Sequence, residues 1–275
     1  MWRSLKRVER QVRKSNYFDV ISINDETNLD ACFREQFKGK LVEGVKGFGY
    51  WVWKPQIILQ TLRQMKECDL LLYMDAGCHF NKHGIKRLNE YFEIAIQSPT
   101  GMVVFQEAKE SENKNLAVGI LLESMWTKGD VFDFFSVRDN KEIYATGQMV
   151  GGIHVIKKCK ESENIFSCWL DVFKYNFNLI DDSPSVSPNF PDFIRHRHDQ
   201  SIISIICKKN NIPSISAAEL WQKDWKKLKA YPILAKRDKD LGFLMWMKQK
   251  IKGVHRRING AFKNIKNMII DRKDS

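Results

Sequence analysis

Apolar and polar positions along this chain follow two rhythms. Spacings of three and four at Trp2, Leu5, Val8 and Val12 predict an amphipathic helix over residues 1–16. The same rhythm predicts helices over Asp30–Phe37, Ile85–Ile96 and Cys159–Phe177, the last with Trp169 and Phe173 on one face. Another helix is predicted over Gln56–Lys66, with Pro55 suited to its first turn. A further one runs over Gln200–Lys209, with Asp199 at the N-cap position. Strands are predicted where apolar or β-branched residues run together: Phe18–Ile23, Leu70–Met74 as a buried central strand, and Gly101–Phe105. Gly147–Ile156 reads as a strand kinked at Gly151-Gly152, where a backbone or a ligand comes close. Polar or glycine-rich stretches over Gly44–Gly49, 107–118 and Asp181–Asp192 are loops, and Trp126–Phe135 is a loop running into a helix.

From Leu241 onward, Leu244, Met247, Ile251, Val254, Ile258, Phe262, Ile265 and Met268 define one face of a long helix. Lysines and arginines fill most of the remainder, with Phe243 and Trp246 near the start. A basic amphipathic helix of this kind fits an anionic membrane surface; the other reading is a helix packed on the body or on a partner. The chain therefore divides into a body, 1–235, and a basic tail, 236–275.

Charge sharpens this division. The net charge is +12 over 275 residues, yet the excess sits at the two ends. Residues 1–16 carry six basic side chains against Glu9 alone, residues 236–275 carry twelve against four, and the body between is nearly neutral. A nucleic-acid binder places its basic residues on its working domain, so nucleic acid is not an expected partner. With 43% hydrophobic residues the chain can bury a sizeable core. No apolar run reaches the ~20 residues of a membrane span, and no signal-peptide pattern is visible. The expected location is cytoplasmic, peripheral on the inner face of the cell membrane. The six cysteines show no metal-ligand spacing and read as reduced thiols.

Three stretches carry candidate chemistry. Asp75 follows the Leu70–Met74 strand and precedes Ala76 and Gly77. A carboxylate there stands where open α/β sheets place ligands, or it simply opens a turn. Trp51, Trp53 and Lys54, in Gly47-Phe-Gly-Tyr-Trp-Val-Trp-Lys-Pro55, form either a platform for a planar or sugar ring or a core corner. The densest polar cluster is His196, Arg197, His198, Asp199 and Gln200 at a helix start, where exposed amides favour negative charge. Asp199 is either a structural cap or a general base, and His198 can bind a metal or a phosphate.

These stretches, with Gly147-Gln148 through Gly152, resemble bacterial glycosyltransferases of O-antigen and capsule loci, some of them galactofuranosyltransferases. The resemblance covers roughly residues 17–225, with four motifs in the same order. It implies an α/β fold of the GT-A kind, a Rossmann-type mixed sheet flanked by helices, and a nucleotide-sugar donor, a UDP-sugar. Asp75 resembles the first acidic position of the Asp-x-Asp motif, which holds Mn²⁺ or Mg²⁺ against the donor diphosphate. Here the second acidic position is Gly77, so one carboxylate is left; His198 completes the metal site, or Lys54 and arginines neutralise the diphosphate instead. Attack of an acceptor hydroxyl on the anomeric carbon needs a base, a role assigned here to Asp199, with His198 as the other catalytic residue and Asp75 at the metal or the donor ribose. Trp51, Trp53, Lys54, Asp75, Ala76, Gly77, Gln148, Gly151 and Gly152 fall on the donor side, and His196, Arg197 and Gln200 at the acceptor or phosphate. The acceptor is a glycan or a polyprenyl-diphosphate-linked sugar, reached from an anionic membrane surface through residues 241–275. GT-A enzymes open on an apolar strand; a helical segment stands there in this chain, and nucleotide affinity is the property most exposed to that difference. The competing readings are a non-catalytic basic module for a membrane or nucleic acid, and a nucleotidyltransferase of similar fold class.

Overall fold

A computed structural model describes residues 2–107 and 122–236. The predicted loop 107–118 lies almost wholly outside the described residues, and so does the basic helix beyond Leu241. The order of elements is α1 (Trp2–Arg13), α2 (Ala31–Gln36), α3 (Gly47–Tyr50), α4 (Trp53–Gln64), β1 (Leu70–Met74), β2 (His79–Phe80), α5 (Ile85–Gln97), β3 (Met102–Gln106), α6 (Glu123–Trp126), α7 (Gly129–Phe134), α8 (Lys141–Tyr144), β4 (Ile153–Lys157), α9 (Lys160–Tyr175), α10 (Asp199–Lys209), β5 (Ser214–Ser216) and β6 (Ile233–Leu234).

The fold is α/β. Four strands form a mixed sheet in the order β1-β4-β3-β5, antiparallel at β1/β4 and β3/β4 and parallel at β3/β5. A separate two-stranded ribbon pairs β2 with β6, His79 opposite Leu234. That pairing ties the chain up to residue 234 into the body. No helix among the described residues is long and apolar enough to cross a membrane.

Side-chain alternation along the strands explains the layering. On β3, Met102 and Val104 enter one core, while Val103 and Phe105 enter another. The first core is filled from α4, α9 and α10 by Ile58, Leu62, Phe166, Trp169, Phe173 and Ile202. The second is filled from α5 by Leu88, Tyr91, Phe92 and Ala95. Helices thus cover both faces, which is why Met102–Phe105 reads as an uninterrupted apolar run.

Three sequence expectations are corrected here. Leu70–Met74 is a strand, but it lies at the sheet's edge, not its centre, and Leu70 is exposed. Phe18–Ile23 forms no strand: it pairs with no strand among the described residues, Phe18 packs against Phe80 instead, and Val20 is 83% exposed. β-propensity describes fit to a paired, half-buried surface, and without a pairing partner it specifies nothing. The Gly147–Ile156 strand is shorter than expected, starting at Ile153; Gly147 and Met149 make only isolated bridges to Leu122 and Gln106.

Candidate functional site

Three chain segments converge on the Lys54 ammonium. Lys54 is the second residue of α4, which begins at Trp53 and so takes in Pro55 and the residues before it. Its Nζ lies 3.1 Å from Oδ2 of Asp75, just beyond β1, and 2.8 Å from Oδ2 of Asp199, the first residue of α10. The Lys54 side chain is 6% exposed, Asp199 7% and Asp75 36%. Asp75 is therefore the carboxylate that meets solvent, and Asp199 lies behind it.

Asp199 is not the N-cap of its helix. His198 holds that position, at φ 54° and ψ −121°, and no side chain caps the helix. Asp199 instead stands in the first turn, where a carboxylate suits the helix dipole, and faces Lys54. Burial pushes the Asp199 carboxyl up from its ordinary value, and the pull of Lys54 offsets this only in part. Burial works to lower Lys54, but the carboxylates of Asp199 and Asp75 outweigh it and hold the ammonium above the ordinary lysine value.

The glycine pair explains how the segments pack so closely. The Gly152 carbonyl accepts the Asp75 backbone N–H at 2.8 Å. A Cβ on Gly152 would sit 2.5 Å from Asp75 Oδ2, and one on Gly151 would sit 3.0 Å from the Gln200 Cα. What comes close to the glycines is thus the site's own acid on one side and the start of α10 on the other. Beyond Asp75 the chain turns through Ala76 and Gly77, closed by the Cys78 N–H donating to the Asp75 carbonyl at 2.9 Å. Arg7 of α1 secures this turn by donating to the carbonyls of Ala76 (3.0 Å) and Cys78 (2.9 Å).

The aromatic stretch before α4 is neither plain platform nor plain core. Gly47, Phe48, Gly49, Tyr50 and Trp51 all have positive φ, between 53° and 85°. Three of them carry side chains, and such residues cost on the order of 1–3 kcal/mol each unless their surroundings enforce them. The enforcement is visible. Trp53 Nε1 donates to the Gly47 carbonyl at 3.0 Å, and the Trp51 ring lies over Gly47. Tyr50 Oη donates to Asp182 Oδ2 at 2.9 Å, and Lys46 Nζ pairs with the same carboxylate. The Tyr50 and Trp51 rings both lie beside His198, at 5.2 and 5.7 Å between centroids.

His198 Nδ1 donates to the Ile180 carbonyl at 2.7 Å, which fixes the neutral tautomer with Nε2 directed toward Asp182 at 3.7 Å. Burial lowers its pKa. His196 is lowered further, by burial first and then by the neighbouring His198 and Lys128, and its Nδ1 accepts the Lys128 backbone N–H. The Arg197 guanidinium lies over the Trp126 ring at 5.4 Å.

Gln148 does not reach the surface. It is fully buried, and its Nε2, with two hydrogens to donate, has Glu123, Thr127 and Ser201 as acceptors at 3.0–3.1 Å. Its Oε1 accepts from Gln200 Nε2 at 2.9 Å. A sugar cannot border this side chain directly; its role is to hold Gln200, and through it the start of α10, against Gly151. Glu123 completes the network by an ion pair with Lys208 at 2.8 Å.

The structure thus brings Lys54, Asp75, Asp199, Gly151 and Gly152 to one point, with Trp51 and Trp53 flanking Lys54 at about 6 Å. His198 stands beside Trp51, and Gln200 supports from behind. Sequence reading missed Tyr73, whose hydroxyl donates to Asp75 Oδ1 at 2.9 Å, and Asp182. Tyr73 had a signal: two residues before Asp75 on a strand, it faces the same side. Asp182 had none beyond its place in a polar loop.

In the arrangement described, the carboxylates that the resemblance offers to a divalent cation are turned to other partners. Among the described residues no group of three or more His, Cys, Asp or Glu is placed to hold a metal ion. The oxygens that would ligate it are also already engaged: Oδ2 of Asp75 and of Asp199 face an ammonium, and Oδ1 of Asp75 accepts from Tyr73. His198, proposed as the second ligand, directs its rings' nitrogens to Ile180 and Asp182. The fixed positive charge at this point comes from Lys54. No protein-family model, curated protein or solved structure matches this chain.

Proposed function

We propose that this chain is a glycosyltransferase with a GT-A-like nucleotide-sugar domain, acting at the inner face of the cell membrane in surface-polysaccharide synthesis. The observation that carries the reading is the buried Lys54 ammonium held between Asp75 and Asp199. Group transfer from a nucleotide sugar needs positive charge for the departing diphosphate and a base for the acceptor hydroxyl. Both occur here within one ion-paired cluster, beside a strained aromatic turn.

In this reading an incoming UDP-sugar draws Lys54 toward its diphosphate and away from the two carboxylates. Asp199, whose pKa burial already raises, then accepts the acceptor hydroxyl proton. The acceptor oxygen bonds to the anomeric carbon, and the bond from that carbon to the diphosphate oxygen breaks. UDP leaves with the electron pair. Asp75, the exposed member, faces the sugar or ribose, and Trp51 and Trp53 border the donor. His196, Arg197 and His198 lie toward the acceptor or phosphate. The acceptor is a glycan or a polyprenyl-diphosphate-linked sugar.

A donor screen tests this. The protein is incubated with a panel of nucleotide sugars, and released UDP is measured with Mn²⁺ and with a chelator. UDP release from one donor, retained in chelator, is the expected result, since Lys54 supplies the charge. Release of pyrophosphate instead would make the protein a nucleotidyltransferase, and no turnover with any donor would overturn the enzyme reading.

A further inference from the structure

The first helix carries two faces with different work. Arg7, Val8 and Gln11 point inward: Arg7 bonds the Ala76 and Cys78 carbonyls, Val8 is buried, and Gln11 accepts the Phe80 N–H at 3.1 Å. The opposite face is exposed and basic. Arg3, Lys6, Arg10, Arg13 and Lys14 recur at spacings of three, four and one, which places all five within one stripe of the helix. Glu9, at the border of the stripe, is its one acid and pairs with Arg13 at 2.9 Å.

We infer that this stripe of α1 docks onto an anionic lipid bilayer. Charge complementarity selects the occupant. The cations lie in a row along about 15 Å of helix, a nearly linear array that meets a plane of phosphate headgroups along its whole length. The site geometry adds a consequence. Because the inner face of α1 is bonded to the turn after Asp75, a bilayer on the outer face lies about one helix diameter, ~10 Å, from that turn. This docking surface is distinct from the basic segment 241–275, and it is measured without any sugar nucleotide, so it stands or falls apart from the proposed reaction.

The test is sedimentation of the full chain with vesicles of phosphatidylcholine alone or with about a third phosphatidylglycerol. Arg10→Glu/Lys14→Glu is compared with Lys226→Glu/Lys229→Glu, which removes the same charge from an exposed turn elsewhere. Each basic residue at an anionic surface contributes about a fivefold factor in partitioning, so the α1 variant is expected to bind the acidic vesicles at least ~25-fold more weakly. The charge-matched variant should change by less than ~3-fold, and circular dichroism should show both folded as the parent. Equal losses in the two variants would assign the effect to net charge and overturn the docking face. So would unchanged binding of the α1 variant, or an equal loss on vesicles of phosphatidylcholine alone.

Discussion

The Nζ of Lys54 and Oδ2 of Asp199 stand 2.8 Å apart with both side chains shut away from water. The two residues are 145 positions apart in sequence, and each opens a helix, α4 and α10, so the contact joins two helix starts at the end of β1. Opposite charges in a dry setting attract strongly, but each has lost its hydration, so the pair's value lies less in net stability than in the cost of leaving one member alone. That cost makes the position of Lys54 hard to change unless a competing anion arrives.

Replacing Lys54 by methionine therefore leaves Asp199 buried without its counter-charge and Asp75 short of one partner. A loss of about 3–5 kcal/mol is expected in urea unfolding at neutral pH. Asp199 can escape by taking a proton, so the loss shrinks as pH falls. The double variant Lys54→Met/Asp199→Leu should recover most of it, because an apolar pair costs nothing to dehydrate. Additive losses in the double variant would mean the two side chains do not interact.

Asp199→Asn keeps the size of the side chain and removes the charge and the basicity. If Asp199 takes the acceptor proton, transfer should fall by about 10²–10⁴-fold. Titration calorimetry should find the nucleotide sugar bound no more weakly, since Lys54 is then held by one carboxylate fewer. Thermal melting should fall, though by less than for Lys54→Met, because Lys54 keeps Asp75 as a counter-charge. Turnover within a few fold of the parent would take the base role away from Asp199.

Gly152→Ala would put a methyl group 2.5 Å from Asp75 Oδ2. The carboxylate has to leave its place beside Lys54, at a cost of about 1–3 kcal/mol typical of overpacking. Activity should drop more than stability does, because the displaced group is the exposed member of the cluster. Restoring space with Gly152→Ala/Asp75→Ser should recover stability but not turnover. A melting temperature for Gly152→Ala equal to the parent's would show that the site has room the contact distances deny.

What the sequence disclosed and what it withheld follow from the range of the interactions. The helices α4, α5, α9 and α10 were legible because a helix buries a stripe with its own period, and Leu62, Leu88, Trp169 and Ile202 lie on those stripes. The edge position of β1 was not, since its pairing with β4 joins Leu70 to Lys157 across the chain and an apolar run reads alike at an edge or a centre. Gly151-Gly152 reads from the sequence as a point of close approach and is one, and Asp75 and Asp199 stand out as candidate acids, but their meeting on Lys54 was hidden. A lysine at a helix start normally reads as solvated, and only the tertiary arrangement of two carboxylates makes its burial tolerable. Asp199 reads from the sequence as either a cap or a general base; in the structure His198 takes the cap position and Asp199, one residue inside the helix, faces Lys54.

Asp182 fastens the loop 181–192 to the aromatic turn by accepting from Tyr50 and Lys46. Lys46 and Asp182 are each about half exposed, so the ion pair itself contributes little to overall stability, ~1 kcal/mol or less. Asp182→Ala is thus expected to leave the melting temperature nearly unchanged and to raise the rate of limited proteolysis within residues 183–191. Tyr50→Phe should do the same to a smaller extent. Unaltered cleavage in both would mean that other contacts, such as Asp130 with the backbone of Val186 and Ser187, hold the loop without help.

His154 ties acid stability to the core. It is fully buried on β4, opposite Tyr73 and edge-on to Phe166 and Trp169. Burial, with a smaller push from Lys54, lowers its pKa from 6.5 to about 3. The unfolded chain binds that proton near pH 6.5 and the folded chain does not until about pH 3, so the neutral imidazole's contribution is complete above 6.5 and is lost as pH falls. At pH 5 the loss from this group alone amounts to about 2 kcal/mol. His196 and His198, also lowered by burial, act in the same direction. Asp199 acts in the opposite one: its pKa is raised, so its contribution is present below its unfolded value and lost as pH rises through the folded one. His154→Phe, which keeps a ring among the surrounding rings, should therefore flatten the decline in urea-unfolding free energy between pH 7 and pH 5 by about 2 kcal/mol. An undiminished slope in that variant would place the acid sensitivity on the histidines beside Tyr50 and Trp51 instead.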